Sequence, residues 1–225
     1  MRPQMQVPAE ILRHNEERTK SLLLADAPPE WMIDKQQIHS ATVIYHDGRT
    51  LSAKQRSKII LLCQEIAEWQ GEDDTILRYD FIKRFCALYG ELVGYRPIFS
   101  LSDASMSEAK ELIGWLIDFC LEWGVPMRRP LIQYSEDIGR YLYACLIHRK
   151  CCLCGAENSD THHTTAVGMG VNRDEIDHVG MEAMALCRVH HTEAHTMGQP
   201  DFDERYKVFG IRIDEYAAEK LELGR

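Results

Sequence analysis

Apolar residues at helical spacing dominate the first two-thirds of the chain. Ile59, Leu62, Cys63 and Ile66 recur at intervals of three and four. Ser52 and Gln55 in front of them form a capping box, and Gly71 behind them is a stop, so a helix is predicted between. A second helix is predicted from Thr75 to Tyr89 on Ile76, Tyr79, Ile82, Phe85, Cys86 and Tyr89, with Gly90 ending it. A third starts at the capping box Ser105-x-x-Glu108, carries Ala109, Leu112, Ile113, Leu116 and Cys120, and ends before Gly124. A fourth is predicted over Ser135–Arg149. The period changes upstream. Ile38 to Tyr45 reads as a strand, and Asp47-Gly48 as a turn. Residues 1–35 are mostly polar, and the double proline of APPEW predicts an extended connection. No internal repeat is visible.

At 225 residues with 45% hydrophobic content, one large or two modest domains can each bury a core. Trp69, Trp115 and Trp123 read as core rather than base-stacking platforms. No apolar run approaches the roughly 20 residues that a membrane span requires. The formal charge of −9 argues against a broad basic face, since phosphate neutralisation dominates nucleic-acid affinity. Basic residues do cluster, as at Arg49, Lys54, Arg56 and Lys58, but such clusters are more often solvated faces. Without a signal peptide the chain reads as cytoplasmic, where thiols stay reduced.

The chemistry is concentrated further on. Between Cys151 and His195, 45 residues hold four cysteines and six histidines. Cys151-x-x-Cys154 and Cys187-x-x-His190 are two matched pairs, the pattern of a structural Zn²⁺ site. Cys152 competes with Cys151 in principle, although Cys152-x-Cys154 is short for a knuckle. The plainer reading of buried thiols suits Cys63, Cys86, Cys120 and Cys145, which sit in helical patterns like core hydrophobes.

Four more histidines remain near this module. His191 and His195 are one helical turn apart, so they share a face if the segment is helical, and can share an ion. His162-His163 alone would read as a surface pair, but the setting makes it a candidate for the same site. Gly168-Met169-Gly170 is too short for a dinucleotide fingerprint. Arg173 is a candidate phosphate contact.

This arrangement resembles the HNH (His-Asn-His) endonucleases, in which a β-hairpin and a helix grip one divalent ion. The resemblance implies that His162, His191 and His195 are metal ligands, with His195 alternatively a phosphate contact. It implies that His163 is the general base, and that phosphodiester hydrolysis leaves a 5′-phosphate and a 3′-hydroxyl. Imidazole titrates near 6.5, which suits a base at neutral pH. The ion, Mn²⁺, Mg²⁺, Ni²⁺, Co²⁺ or Zn²⁺, would act as Lewis acid. The chain departs from the family at the middle asparagine: Glu182 stands there, and His178 or Asp177 is the candidate orienting partner of His163.

LSAKQRSKIILLCQEIAEW, PIFSLSDASMSEAKELIGWLIDF, RYLYACLIHRKCCLCG and GQPDFDERYKVFGI are similar to a phage family of HNH nucleases. Their N-terminal domain resembles the Orf (NinB) recombination mediators. The likeness covers most of residues 36–213. It implies single-stranded or branched DNA as partner, a single-strand-binding protein beside it, and a homodimer.

The expected fold is therefore α+β. Residues 1–35 form an extended segment, and 36–148 a mostly helical accessory domain with a small sheet. Residues 149–225 form a zinc-stabilised ββα-metal (HNH) module. The expected function is a metal-dependent DNA endonuclease of phage recombination or replication. The alternative is a non-catalytic DNA-binding mediator whose zinc module is only structural. The surplus histidines favour the enzyme; the missing asparagine and the acidic charge favour the alternative.

Overall fold

The computed structural model describes residues 9–14, 21–25, 49–93, 98–164 and 178–223, with side chains in 49–88, 98–164 and 178–223. The expected strand at 38–45, the turn at 47–48, Arg173, Asp177 and the Gly168–Gly170 stretch lie outside these residues. The chain divides into two compact units, residues 1–45 with 89–97 and residues 46–88 with 98–225. In the first, β1 (Ala9–His14) pairs antiparallel with β2 (Ser21–Ala25), Ala9 opposite Ala25. The segment expected to run extended thus holds a strand pair.

In the second unit, α1 (Ala53–Gln70) and α3 (Met106–Trp123) begin and end where the capping signals put them. Ser52 Oγ accepts the Gln55 N–H at 3.2 Å, and Ser105 Oγ accepts the Glu108 N–H at 3.1 Å. Gly71 and Gly124 close the helices in the left-handed region, at φ +73° and +64°. The two starts are tied together: Leu51 N–H donates to Ala104 C=O at 2.9 Å, and Met106 N–H to Arg49 C=O at 3.1 Å. Ile59, Leu62 and Ile66 of α1 are buried, as are Leu112, Ile113 and Leu116 of α3, where the two helices pack.

The second predicted helix differs from its expectation. α2 (Asp74–Val93) runs through Gly90; glycine inside a helix costs only about 1 kcal/mol and does not by itself end one. Its buried face is Leu77, Phe81, Ile82, Phe85 and Cys86, while Ile76 and Tyr79 are 65% and 62% exposed. Contact with α3 selects this face: Phe81 packs edge-on against Trp115 at 5.5 Å and Phe119 at 5.0 Å. Trp115 is half-buried there, but Trp69 and Trp123 are exposed and do not belong to the core.

A 3₁₀ turn (Leu131–Gln133) leads to α4 (Ile138–Ile147), shorter than expected because Asp137, not Ser135, is its cap, Oδ1 accepting the Arg140 N–H at 3.1 Å. α4 contacts both α3 and a small sheet. The strands of that sheet, β3 (Asp160–His163), β4 (Glu182–Leu186) and β5 (Ile211–Arg212), lie antiparallel in that order. α5 (Arg188–Met197) follows β4 and packs on β3 and β4. α6 (Gln199–Tyr206) and α7 (Glu215–Lys220) complete the described chain. β4 is buried from Ala183 to Leu186. Gly210 lets β5 close in: a Cβ there would fall 2.5 Å from Thr164 Oγ1 and 2.9 Å from Glu182 Cβ. The described architecture is mostly helical with a small antiparallel sheet, and no described helix is long and apolar enough to cross a membrane.

Candidate metal centre

Cys151 follows α4 at the start of a tight turn through Cys152–Cys154. Gly155 N–H donates to Cys151 C=O and Cys151 N–H to Ala156 C=O, both at 2.8 Å. Gly155 sits at φ +75°, a conformation that costs other L-residues about 1–2 kcal/mol. The turn aims Cys151 and Cys154 at the start of α5, where Cys187 is the N-cap residue and His190 lies in the first turn. The four ligand atoms of Cys151, Cys154, Cys187 and His190 lie within 4.8 Å of one another.

Zinc bonds of about 2.3 Å to sulfur and about 2.0 Å to nitrogen put tetrahedral S···S at about 3.8 Å and S···N at about 3.5 Å. Cys154 and Cys187 Sγ are 3.8 Å apart, and His190 Nδ1 is 3.4 Å from Cys151 Sγ and 3.3 Å from Cys187 Sγ. This thiolate-rich, compact donor set fits Zn²⁺. Burial tends to raise the Cys187 thiol, but the His190 backbone and ring with the Cys154 and Cys151 thiols bring it down to about 7. Cys152 is excluded from the cluster by its orientation. It is fully buried beside β4, its N–H on Ala185 C=O at 3.0 Å and its C=O accepting the Tyr141 hydroxyl at 2.8 Å.

A second cluster lies one residue further along α5. His162, His191 and His195 place a ligand nitrogen each within 4.8 Å of one another. Their ring centroids are 4.7 Å (162–191), 5.1 Å (162–195) and 4.9 Å (191–195) apart. Three imidazoles with further positions open fit a divalent transition ion. Strand alternation explains His162: Asp160 and His162 share the face of β3 that meets α5. Asp160 Oδ2 lies 3.4 Å from His191 Nδ1 and 3.2 Å from Arg188 Nε.

His163 takes the other face of β3. Its Nε2 lies 2.9 Å from Nδ1 of His178, which is buried in the turn before β4. The structure thus brings together His162, His191 and His195, separately His163 with His178, and separately the four knuckle residues. Asp160, Arg188, Gln199 and Asp203 are additional neighbours that the spacing did not single out. Gln199 accepts from His162, Nε2 to Oε1 at 2.8 Å, and donates through its own Nε2 to Asp203 Oδ1 at 2.7 Å. Burial holds the His162 imidazole below its usual range, Gln199 opposing the effect, and burial raises the Asp203 carboxyl. The only prior signal for the last pair was a spacing of four residues after Gly198.

Residues 25–224 match the model of a protein family described as "Putative HNHc nuclease". No curated protein and no solved structure matches the chain.

Proposed function

This chain belongs to that HNH nuclease family, and on that footing we propose that it is a metal-dependent DNA endonuclease built on a ββα-metal module. The observation that carries the reading is the placement of two adjacent histidines on β3, one in the cluster with His191 and His195 and the other against His178. His162 and His163 are sequence neighbours, so their side chains leave opposite faces of a strand that lies at the edge of its sheet. In-line phosphodiester cleavage has the same requirement, because attacking and leaving oxygens lie on opposite sides of phosphorus. A phosphate at the β3 edge would have the His162, His191 and His195 cluster on one side and His163 on the other.

His162, His191 and His195 would hold the ion, which when bound supplies Lewis-acid stabilisation of charge at the phosphorus and the leaving 3′ oxygen. His163 takes the proton of the attacking water. The contact between His163 Nε2 and His178 Nδ1, at 2.9 Å, holds the His163 ring in place for that task. His178 thereby occupies the orienting role that an asparagine has in the family pattern. Arg173 remains the proposed phosphate contact. The products are a 5′-phosphate and a 3′-hydroxyl.

The finer setting rests on the resemblance of the first two-thirds of the chain. It is an accessory domain over 36–148 ahead of the nuclease module, action in phage recombination or replication on single-stranded or branched DNA, a single-strand-binding protein as partner, and a homodimer. The test is cleavage of single-stranded, duplex and branched DNA after chelation and return of each metal. Cutting that depends on added metal and on His163 supports the reading. No cutting by protein of full zinc content, under any metal, would leave the non-catalytic, DNA-binding reading.

A further inference from the structure

Each imidazole of the second cluster can bind an ion through only one nitrogen, and what the other nitrogen does decides which. We propose that Gln199, itself held by Asp203, is a positioning residue that fixes His162 as the Nε2–H tautomer and turns Nδ1 toward the ion. The inference rests on reading His162 as a metal ligand.

The argument runs from Asp203 inward. A glutamine amide can present either end, and its orientation follows from its partners. Asp203 Oδ1 is 2.7 Å from Gln199 Nε2 and can only accept, so the amide donates there. That leaves Oε1 facing His162 Nε2 at 2.8 Å, and a carbonyl oxygen can only accept. His162 therefore donates from Nε2. His162 is 4% exposed, so water offers little competition for that bond. A neutral imidazole carries one N–H, so the lone pair is on Nδ1.

The fold places Gln199 for this task. Gly198, at φ +91°, donates to Ala194 C=O at 2.9 Å and ends α5. The chain turns there into α6, which is anchored by the fully buried Phe202. Gln199 and Asp203 are four residues apart on α6 and so share one helix face. His191 is held in the opposite sense, its Nδ1 against Asp160, which leaves Nε2 for the ion. The cluster would then combine one δ-nitrogen from β3 with an ε-nitrogen from α5.

The test needs no cleavage. Side-chain ¹⁵N spectra of the full-length protein are recorded with zinc in the knuckle and the second cluster chelated, His162 being assigned by its loss in His162→Ala. We expect the Nε2–H pattern in the wild type, a tautomer mixture in Gln199→Ala, and Nε2–H again in Gln199→Glu. Co²⁺ affinity at the second cluster should fall roughly 10–100-fold in Gln199→Ala and recover in Gln199→Glu. An Nδ1–H pattern in the wild type would overturn the proposal, as would Gln199→Ala with unchanged tautomer and unchanged Co²⁺ affinity. If Gln199→Ala loses the knuckle zinc or fails to fold, the wild-type spectrum alone decides. If His162→Ala leaves Co²⁺ binding intact, it is the ligand reading of His162 that fails, and the tautomer spectrum still reports on Gln199.

Discussion

Cys151 and Cys152 are adjacent, both buried, and differ in one respect: the Cys151 thiol joins Cys154, Cys187 and His190, and Cys152 stands outside that cluster, its backbone bonded to β4 and to Tyr141. Alanine at each should therefore have opposite outcomes. Cys152→Ala removes one buried sulfur from a site that otherwise keeps its hydrogen bonds, at a cost of about 1–2 kcal/mol. Zinc content should stay at one per chain. Cys151→Ala removes a proposed ligand from a site of the kind whose binding is worth about 10–16 kcal/mol in small zinc modules. The total stability of a domain is only about 5–15 kcal/mol, so losing most of that binding is enough to unfold the C-terminal elements. The damage should reach the second cluster, because Cys187 caps the helix that carries His191 and His195. Metal analysis of natively purified protein reads the first effect. Amide exchange reads the second: the His191 N–H, bonded to Cys187 C=O at 2.8 Å, should lose protection in Cys151→Ala and keep it in Cys152→Ala. Stoichiometric zinc in Cys151→Ala, or zinc loss in Cys152→Ala, would refute the assignment of the knuckle.

His163→Ala should lower turnover by roughly 10²–10⁴-fold while DNA and metal binding survive, and unchanged cutting would remove His163 as the base. His191→Ala should lose Co²⁺ binding at the second cluster but keep the knuckle zinc, which differential metal titration would show; activity should favour Mn²⁺, Co²⁺ or Ni²⁺ over Mg²⁺, which prefers oxygen ligands. The Lys110 ammonium and the Arg140 N–H hold the Asp137 carboxyl below its usual range. A depressed folded value means that its contribution is present above the ordinary carboxyl range and is lost as pH falls through the folded value. Asp137→Ala should accordingly cost about 1 kcal/mol near neutral pH and progressively less in acid, as denaturant melts would measure. A fragment of residues 1–148 should melt cooperatively on the α1–α3 core; a broad melt of soluble, monodisperse fragment would show that α4 depends on β4.

The helices α1 and α3 were legible to the residue, because capping boxes and terminal glycines are local signals that need no tertiary partner. α2 was legible as a helix but not in its orientation. It has apolar side chains on more than one face, and only the aromatic contact with Trp115 and Phe119 decides that Leu77 and Phe81 go in while Ile76 and Tyr79 stay out. The same distinction holds at the site. Cys151-x-x-Cys154 and Cys187-x-x-His190 announce themselves because each pair closes within one turn. Asp160, Gln199 and Asp203 do not, since their roles depend on β3 lying under α5 and on the reversal at Gly198. Competition between Cys151 and Cys152 could not be resolved by spacing; it is resolved by which thiol the turn leaves facing α5.

The alternation of β3 makes the candidate site sensitive to counting. A strand that slips by one position against its neighbour exchanges its two faces. Here such a slip would turn His163 toward α5 and His162 away, swapping the candidate base with a candidate ligand while leaving the local composition of the strand untouched. One residue inserted between Cys154 and Asp160 would invite that exchange, whereas two inserted residues would restore the alternation.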